Sequence, residues 1–291
     1  MLKDYLALIR PGQHIKNLVL FLPAFFAERF LDTVLLARTF VGFVGFSLLA
    51  GGVYILNDYR DIAEDRAHPV KQHRPLAAGR VSPQVALLMM AVLMAGGVGI
   101  FAWLDKTALY VATGYVIMNL LYSFRLKHIA ILDVCLIALG FEFRIAAGAL
   151  IAVPHIPLSL WIVIMIFLGA LFLALAKRRD DVRLSAGGLQ VRKAIHGYNL
   201  EFINATMVMM ASVMIVSYIF YTISPEVQNR LGSRDLYVTV IFVLMGVMRY
   251  MQITFVEEKS ANPGRIFLED RFMQLVVLGW IITLGVLIYG F

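Results

Sequence analysis

Four oxygen-bearing side chains lie directly after an apolar run, with a spacing that suits metal or phosphate chemistry. They are Asn57, Asp58, Asp61 and Asp65, and they follow the run FVGFVGFSLLAGGVYIL. Asn57, Asp61 and Asp65 are four residues apart, while Asp58 stands three before Asp61. In a continuing helix these side chains share one face. We call this set the aspartate comb.

The aspartate comb needs a cation, because carboxylates this close repel one another when all are ionised. Oxygen ligands without a cysteine or histidine cluster suit a hard ion. Magnesium usually keeps several waters and joins a few carboxylates to substrate phosphates. The comb therefore predicts a site for Mg²⁺ and a diphosphate, with Asn57, Asp58, Asp61 and Asp65 as metal ligands. A solvated amphipathic loop of mixed charge is the alternative, but it does not explain the position after an apolar segment.

Two basic side chains follow the comb in the stretch HPVKQHRPLAAGRVS. Pro69 and Pro75 are expected to break the helix there and turn Lys71 and Arg74 back toward the acids. Arg74 could hold phosphate oxygens in a bidentate fork, and Lys71 could act as a compact point charge. The alternative is that both residues only contribute positive charge to a cytoplasmic loop.

The composition requires a membrane to position the comb. Of 291 residues, 60% are hydrophobic and 15% are charged, and the mean hydropathy is +0.80. An aspartate or lysine at the centre of a membrane helix costs roughly 2.5 to 3.5 kcal/mol, so the comb must lie at the water boundary or line a polar cavity. We predict an all-α integral membrane protein, a single polytopic domain over residues 1–291 with its helices around a central cavity.

Nine stretches are long and apolar enough to be read as spans of about 20 residues. Small-residue clusters in LLAGGVYI, MAGGVGI and RIAAGALIA should let these helices approach one another closely. The predicted spans are 17–36, 39–57, 83–104, 107–124, 129–153, 157–176, 199–223, 236–256 and 272–291.

Positive charge predicts the orientation. Most of the 26 lysines and arginines precede the first predicted span or follow every second one, so the amino terminus is expected on the cytoplasmic side of the inner (cytoplasmic) membrane. Loops 58–82 and 177–198 then form a cytoplasmic active-site face. The net charge of +7 does not indicate nucleic acid, since the bases lie between spans, where membrane lipids and phosphorylated substrates are the expected partners.

Other polar side chains lie at the predicted cytoplasmic ends of spans. Lys16, Tyr122 and Lys127 could converge on phosphates, although such residues also serve as ordinary interfacial anchors. Arg144 differs because it lies within the apolar stretch LGFEFRIAAGAL. It should face the interior of the bundle, where it binds phosphate or forms a structural ion pair.

The string NDYRDIAEDRAHPVKQHRPLAAGRVS resembles the NDxxDxxxD signature and the following KxxRPLxxG of the UbiA superfamily of intramembrane prenyltransferases. Four further segments are similar to one branch, the decaprenyl-phosphate phosphoribosyltransferase type. These segments are IRPGQHIKNLVLFLPAFFA, YSFRLKHIAILDVCLIALGFEFRIAAGAL, LALAKRRDD and NPGRIFLEDR. The similarity extends over most of the chain.

The loop after the sixth predicted span separates the branches. Aromatic prenyltransferases of this superfamily carry a second aspartate-rich motif there, whereas this chain has AKRRDDVRLSAGG. Asp180 and Asp181 are adjacent and cannot face the same way on a helix. Lys177, Arg178 and Arg179 instead predict a cationic wall for a second anionic substrate, such as a lipid monophosphate beside a sugar diphosphate.

The resemblance implies a Mg²⁺-dependent transferase that moves a 5-phosphoribosyl group from phosphoribosyl diphosphate to a polyprenyl phosphate of the decaprenyl type and releases diphosphate. Asp58, Asp61, Lys16 and Lys127 are the expected catalytic residues. The sequence leaves open whether the protein forms a homo-oligomer. The expected substrate-binding residues are Lys16, Asn57, Lys71, Arg74, Tyr122, Lys127, Arg144, Lys177 and Arg178.

Two other functions remain open. One is a related enzyme that moves a prenyl group from a prenyl diphosphate to an aromatic or other acceptor, which would require a well-formed second acidic motif. The other is a lipid or ion transporter that uses the acids as a cation path. Transporters commonly place such groups on discontinuous helices at the membrane midplane, whereas these acids are predicted at one face.

Overall fold

A computed structural model of the protein describes residues 2–67, 70–186, 193–259 and 263–290, and no strand occurs among them. Pro69 and part of loop 177–198 lie outside this description. Short 3-10 helices separate the α-helices at Pro11–Phe21, Lys71–His73, Leu126–His128, Lys193–Gly197 and Leu236–Thr239. The α-helices are α1 Leu2–Ile9, α2 Leu22–Phe26, α3 Thr33–Arg60, α4 Ile62–Ala67, α5 Pro83–Leu104, α6 Lys106–Phe124, α7 Leu132–Ile151, α8 Leu160–Ala186, α9 Leu200–Ile223, α10 Pro225–Arg230, α11 Val240–Phe255, α12 Pro263–Glu269 and α13 Arg271–Tyr289.

The all-helical fold class is confirmed, but the count of nine spans is not. Within the described residues, eight helical segments have the length and composition needed to cross a membrane. The eight candidate spans are Thr33–Arg60, Pro83–Leu104, Lys106–Phe124, Leu132–Ile151, Leu160–Ser185, Leu200–Ile223, Leu236–Phe255 and Arg271–Tyr289.

The first predicted span, 17–36, is wrong as a single helix. The 3-10 helix Pro11–Phe21 and the five-residue α2 occupy its first half, and the chain then turns at Glu28, whose φ is 57°. Asp32 accepts a hydrogen bond from the Leu35 amide at 3.0 Å and so begins α3 within the predicted span. Local capping prevailed there over the continuous apolar pattern.

Side-chain caps explain where several long helices begin. A side-chain oxygen accepts hydrogen bonds from the first free amides of the helix, which otherwise have no partner within it. Asp105 caps α6 through the amides of Thr107 and Ala108. The matching caps of α5, α9 and α13 are Ser82, Asn199 and Asp270.

The chain divides into two compact units, and a single polytopic domain stays a prediction. Unit 1 comprises Met1–Lys127 and Gly140–Pro157, while unit 2 comprises His128–Leu139 and Leu158–Phe291. Both combine segments that are distant in sequence. Candidate site residues occur in each unit.

Small residues allow close packing in unit 1, as their clusters predicted. A Cβ added to Gly97 would meet the Gly45 carbonyl oxygen at 2.8 Å, and one added to Gly148 would meet the Leu20 carbonyl oxygen at 2.2 Å. Because Gly148 has no Cβ, the 3-10 helix Pro11–Phe21 can lie directly against α7. This packing brings Lys16 and Asn17, on that 3-10 helix, into the polar part of the unit.

Candidate functional site

The aspartate comb lies where α3 passes into α4. Although the two helices are separate, the Asp61 amide donates to the Asn57 carbonyl at 3.0 Å and the Asp65 amide donates to the Asp61 carbonyl at 2.7 Å. These four-residue steps carry the helical register through the comb, so the side chains follow one another along one side. The short α4 thus presents Asp65 beyond the end of the long α3.

Arginines bind two carboxylates of the comb. Asp58 and Asp65 are 2% and 3% exposed, so leaving either carboxylate without a cation would be costly. Arg74 Nη1 lies 3.1 Å from Asp58 Oδ1 and 2.7 Å from Asp65 Oδ2, so it bridges the two carboxylates. The sequence predicts that Arg74 faces the acids. Arg10 also donates from Nη2 to Asp58 Oδ1. One oxygen of Asp58 therefore serves two guanidinium groups.

The other two members of the comb bind to the segment that ends α6. Ser123 Oγ donates to Asn57 Oδ1 at 2.7 Å, and Lys127 Nζ forms an ion pair with Asp61 Oδ1. Lys127 belongs to the 3-10 helix Leu126–His128 and is buried. Every carboxylate of the comb thus contacts a basic side chain of unit 1.

A second polar cluster in unit 1 surrounds Arg144. This residue is buried, as predicted, but its hydrogen bonds go to neutral acceptors: Asn17 Oδ1 at 2.7 Å, the Gly140 carbonyl and the Tyr115 hydroxyl at 3.3 Å. Its guanidinium also lies 4.9 Å from the centre of the Phe46 ring. No carboxylate pairs with Arg144 in the part of the chain that the structure describes. The cluster therefore carries an uncompensated positive charge, which an anion would stabilise.

Lys16 experiences that positive charge. The residue is exposed, yet the surrounding protein partly desolvates its ammonium group. This desolvation, together with the charges of Arg144 and then Arg10, lowers the pKa of Lys16 to about 8. Desolvation and like charges both disfavour a protonated amine. An anion bound beside Lys16 would offset both effects, because an opposite charge favours the protonated amine.

The remaining predicted residues of unit 1 are Lys71 and Tyr122. Lys71 begins the 3-10 helix Lys71–His73, and Tyr122 lies in the last turn of α6. Both are half-buried. Tyr122 directly precedes Ser123, which contacts the comb.

The predicted cationic wall of unit 2 is mostly a buried network at the end of α8. Arg178 Nε donates to Asp133 Oδ2 at 2.6 Å and Nη1 donates to Asp181 Oδ2 at 2.7 Å. The Tyr198 hydroxyl donates to the other oxygen of Asp133, also at 2.6 Å. Lys177 is exposed, whereas Arg178, Arg179 and Asp180 are buried. This arrangement favours a structural role for Arg178, and its contact with substrate stays a prediction.

Arg179 is also bound within unit 2. Its Nε donates to Asn204 Oδ1 at 3.0 Å and its Nη1 to the Thr254 carbonyl at 2.7 Å. The guanidinium lies 5.3 Å from the centre of the Phe255 ring. Arg179 therefore ties α8 to α9 and α11, and only Lys177 of the three basic residues is exposed.

Sequence reasoning missed Arg10 and Ser123 as contacts of the comb, and Asn17 as a partner of Arg144. Of these residues, only Arg10 has a local feature that could have marked it, because it stands between a short helix and Pro11. Arg10 is 48 residues from Asp58, and Ser123 is 66 residues from Asn57. Such pairings depend on long-range packing.

The donor atoms of the comb suit a hard divalent ion, although their arrangement is not that of a formed metal site. Within the described ranges, no three histidine, cysteine, aspartate or glutamate side chains are grouped to hold a metal. However, the four donors all offer oxygen, and Arg74 already places one positive charge between Asp58 and Asp65. A Mg²⁺ ion with ligands at 2.0–2.1 Å would need these carboxylates drawn closer.

Comparison with known proteins identifies the class of this helical protein. Residues 18–278 match the model of the UbiA prenyltransferase family. The chain therefore belongs to that family, as the aspartate comb predicted, and it is a membrane-embedded transferase.

Individual relatives narrow the comparison. The chain is 33% identical to a decaprenyl-phosphate phosphoribosyltransferase of Mycolicibacterium smegmatis, over 97% of this chain and 91% of that protein. It is 32% identical to the Mycobacterium tuberculosis protein of the same name, over 95% and 91%. A solved UbiA homologue of Archaeoglobus fulgidus, bound to DMAPP and Mg²⁺, has the same fold, with a TM-score of 0.72, 17% identity and coverage of 99% of this chain and 100% of that one.

Proposed function

We propose that the protein transfers a 5-phosphoribosyl group from phosphoribosyl diphosphate to a polyprenyl phosphate of the decaprenyl type and releases diphosphate. One observation carries the choice of donor. Asp180 and Asp181 are adjacent on α8 and face different ways, and Asp181 is bound to Arg178, so these two carboxylates do not form a second comb for the diphosphate of a prenyl donor. The names of the relatives that align over almost the whole chain support the same choice.

The comb residues Asn57, Asp58, Asp61 and Asp65 would hold the metal in this reaction. A bound Mg²⁺ would supply neutralisation of the charge that develops on the leaving diphosphate. Arg74 and Lys127 already contact the comb and would bind diphosphate oxygens. These preorganised charges would lower the barrier by stabilising the leaving group.

The group transfer itself requires no general base. The bond between ribose C1 and the diphosphate oxygen breaks, and diphosphate leaves with the bonding electron pair. An oxygen of the polyprenyl phosphate then forms the new bond to C1. Because that phosphate is already an anion at neutral pH, no proton must be removed, and positioning and electrostatics provide the catalysis.

Unpaired positive charge in unit 1 supports a substrate that carries several phosphates. Lys16 and Arg144 face no carboxylate among the described residues, and the charge of Arg144 acts on Lys16. We assign them, with Lys71 and Tyr122, to the phosphoribosyl diphosphate. Exposed Lys177 is assigned to the lipid phosphate, and Arg178 behind it would fix the end of α8.

An apolar cavity in unit 2 supports a lipid acceptor. Its volume is about 330 Å³, and α8, α9, α11 and α13, which could all cross a membrane, contribute to its wall. An isoprenoid chain needs only an apolar groove of this kind. In the proposed orientation, the comb faces the cytoplasm from the cytoplasmic membrane. The aromatic residues that line the apolar cavity are Phe172, Phe242, Tyr250, Phe267 and Trp280.

The second candidate is the transfer of a prenyl group from a prenyl diphosphate to an aromatic or other acceptor. Membership of the UbiA prenyltransferase family favours it, and the comb would bind that donor's diphosphate in the same way. The two candidates differ in which substrate carries the diphosphate.

Mass spectrometry of the lipid fraction separates the two candidates. Purified protein with Mg²⁺ is incubated with phosphoribosyl diphosphate and decaprenyl phosphate, and in parallel with a prenyl diphosphate and 4-hydroxybenzoate. We expect a phosphoribosylated lipid in the first reaction and its loss when EDTA is added. A prenylated aromatic product, with no phosphoribosylated lipid, would refute the proposed donor while retaining the role of the comb.

A further inference from the structure

Arg10 combines an unfavourable backbone conformation with a contact to the aspartate comb. It follows α1 directly and has φ 55° and ψ 63°, in the left-handed region. Glycine is the usual residue where a helix ends in this conformation, and a residue before proline is normally extended. Arg10 meets neither preference. Such positions persist where the side chain has a use that outweighs the strain.

The contact of the Arg10 side chain suggests what that use is. Its Nη2 donates to Asp58 Oδ1, and its guanidinium lies 5.4 Å from the centre of the Tyr54 ring. Arg10 keeps 28% of its side-chain surface exposed, while Asp58 keeps 2%. A guanidinium has five N–H donors, so this hydrogen bond leaves others able to reach an anion.

Asp58 Oδ1 is shared by Arg10 and Arg74, and it is also an oxygen that the comb would offer to a metal. A divalent ion and two guanidinium groups cannot all stay on one oxygen, because the cations repel one another. Arg74 keeps a second partner in Asp65. Arg74 therefore stays attached to the comb when it gives up Asp58, whereas Arg10, whose ion-pair partner is Asp58, becomes available to another anion when a metal displaces it.

We propose that Arg10 is a diphosphate-positioning residue that Asp58 holds until a metal and a diphosphate bind together. It then gives up Asp58 Oδ1 to the metal and donates to a diphosphate oxygen instead. This inference rests on the proposed function only in requiring that the substrate carry a diphosphate.

The Arg10→Gly variant tests this exchange with little risk to folding. Glycine adopts the left-handed conformation without steric cost, so the melting midpoint should equal or exceed that of the wild-type protein. Without the competing guanidinium, Mn²⁺ alone should bind at least about threefold more tightly, since the carboxylate gains the metal without losing a partner. Magnesium diphosphate should bind about tenfold more weakly, because a charge-assisted hydrogen bond is lost.

These opposite changes distinguish positioning from a structural role. Electron paramagnetic resonance measures Mn²⁺ bound to the full-length protein, and calorimetry measures inorganic diphosphate binding in excess Mg²⁺. Arg80→Gln is the matched control, since it removes one positive charge from an exposed pair with Asp4 in the same unit, and it should change neither affinity. Arg10→Lys should recover part of the diphosphate affinity.

The outcomes of this experiment are separate from those of the product assay. Arg10→Gly overturns the inference if both affinities fall together, if neither changes, or if the wild-type protein binds no Mn²⁺. If the wild-type protein binds magnesium diphosphate but not phosphoribosyl diphosphate, the proposed donor is wrong. In that case the opposite shifts in Mn²⁺ and diphosphate affinity still decide whether Arg10 is a positioning residue.

Discussion

The aspartate comb of unit 1 and the Asp133 network of unit 2 are both made of acids and arginines near the ends of long helices, but they differ in access. Arg10 and Arg74 keep 28% of their side-chain surface exposed at the comb. In the Asp133 network, Arg178 keeps 3% and Asp133 keeps none. Tyr198 covers the second oxygen of Asp133.

This difference separates exchangeable ion pairs from fixed ones. A buried pair with all its hydrogen bonds made loses several kcal/mol when one partner is removed. A pair whose cation reaches water can release it at less cost, because water and a new anion compensate the exposed charge. The comb is therefore suited to binding a metal and a diphosphate, whereas the Asp133 network is suited to fixing the end of α8.

The largest expected effect comes from Asp61→Asn in the comb. The change removes a metal-binding charge and the ion-pair partner of Lys127, so turnover should fall about 1,000-fold or more. The measurement is the rate of product formation by the purified variant, with its melting midpoint recorded in the same detergent. Glu64→Gln is the control, since Glu64 is an exposed acid on α4. An active Asp61→Asn variant would contradict the metal role.

Asp133→Ala is expected to cause a large loss of stability rather than of turnover. It leaves Arg178 and the Tyr198 hydroxyl without their shared acceptor, which should lower the free energy of unfolding by about 3–5 kcal/mol. Thermal unfolding in detergent measures it. Lys177→Ala, an exposed change on the same helix, should keep the wild-type midpoint. If Asp133→Ala unfolds like the wild-type protein, the network is not a fixed structural element.

A smaller effect, in pH dependence, is expected from Lys16. Its pKa of about 8 means that it is charged below pH 8 and loses its charge as the pH rises above 8. The kcat/KM for phosphoribosyl diphosphate, which reports ionisation of the free enzyme, should therefore decline by up to about tenfold per pH unit above pH 8. Lys16→Arg stays charged throughout and should flatten this decline. Identical profiles for the two proteins would remove Lys16 from donor binding.

The sequence predicted which segments form long helices better than it predicted where the first of these helices begins. Seven predicted spans overlap long helices from α5 onward, and the second corresponds to α3. The span 17–36 failed because an apolar run does not show where a chain turns. Pro23 and the Asp32 cap lie within that run, and they mark the break that hydropathy overlooks.

Candidate site residues were predictable only as types and positions. The pattern identified Arg74 as a residue that faces the acids, and the structure pairs it with Asp58 and Asp65. Sequence reasoning gave Arg178 the same role as Lys177, although one is buried and the other exposed. Neighbouring bases on a helix point in different directions, and only packing decides which one meets solvent.

The sequence by itself determined the membrane class, the family and the helical register of the comb, because each depends on composition or on spacing of a few residues. Only the tertiary structure decided which cations meet the comb. Arg10 is 48 residues from Asp58 and Lys127 is 66 from Asp61. The chain has 26 lysines and arginines with nearly equivalent charge, so the choice among them depends on which helices pack together.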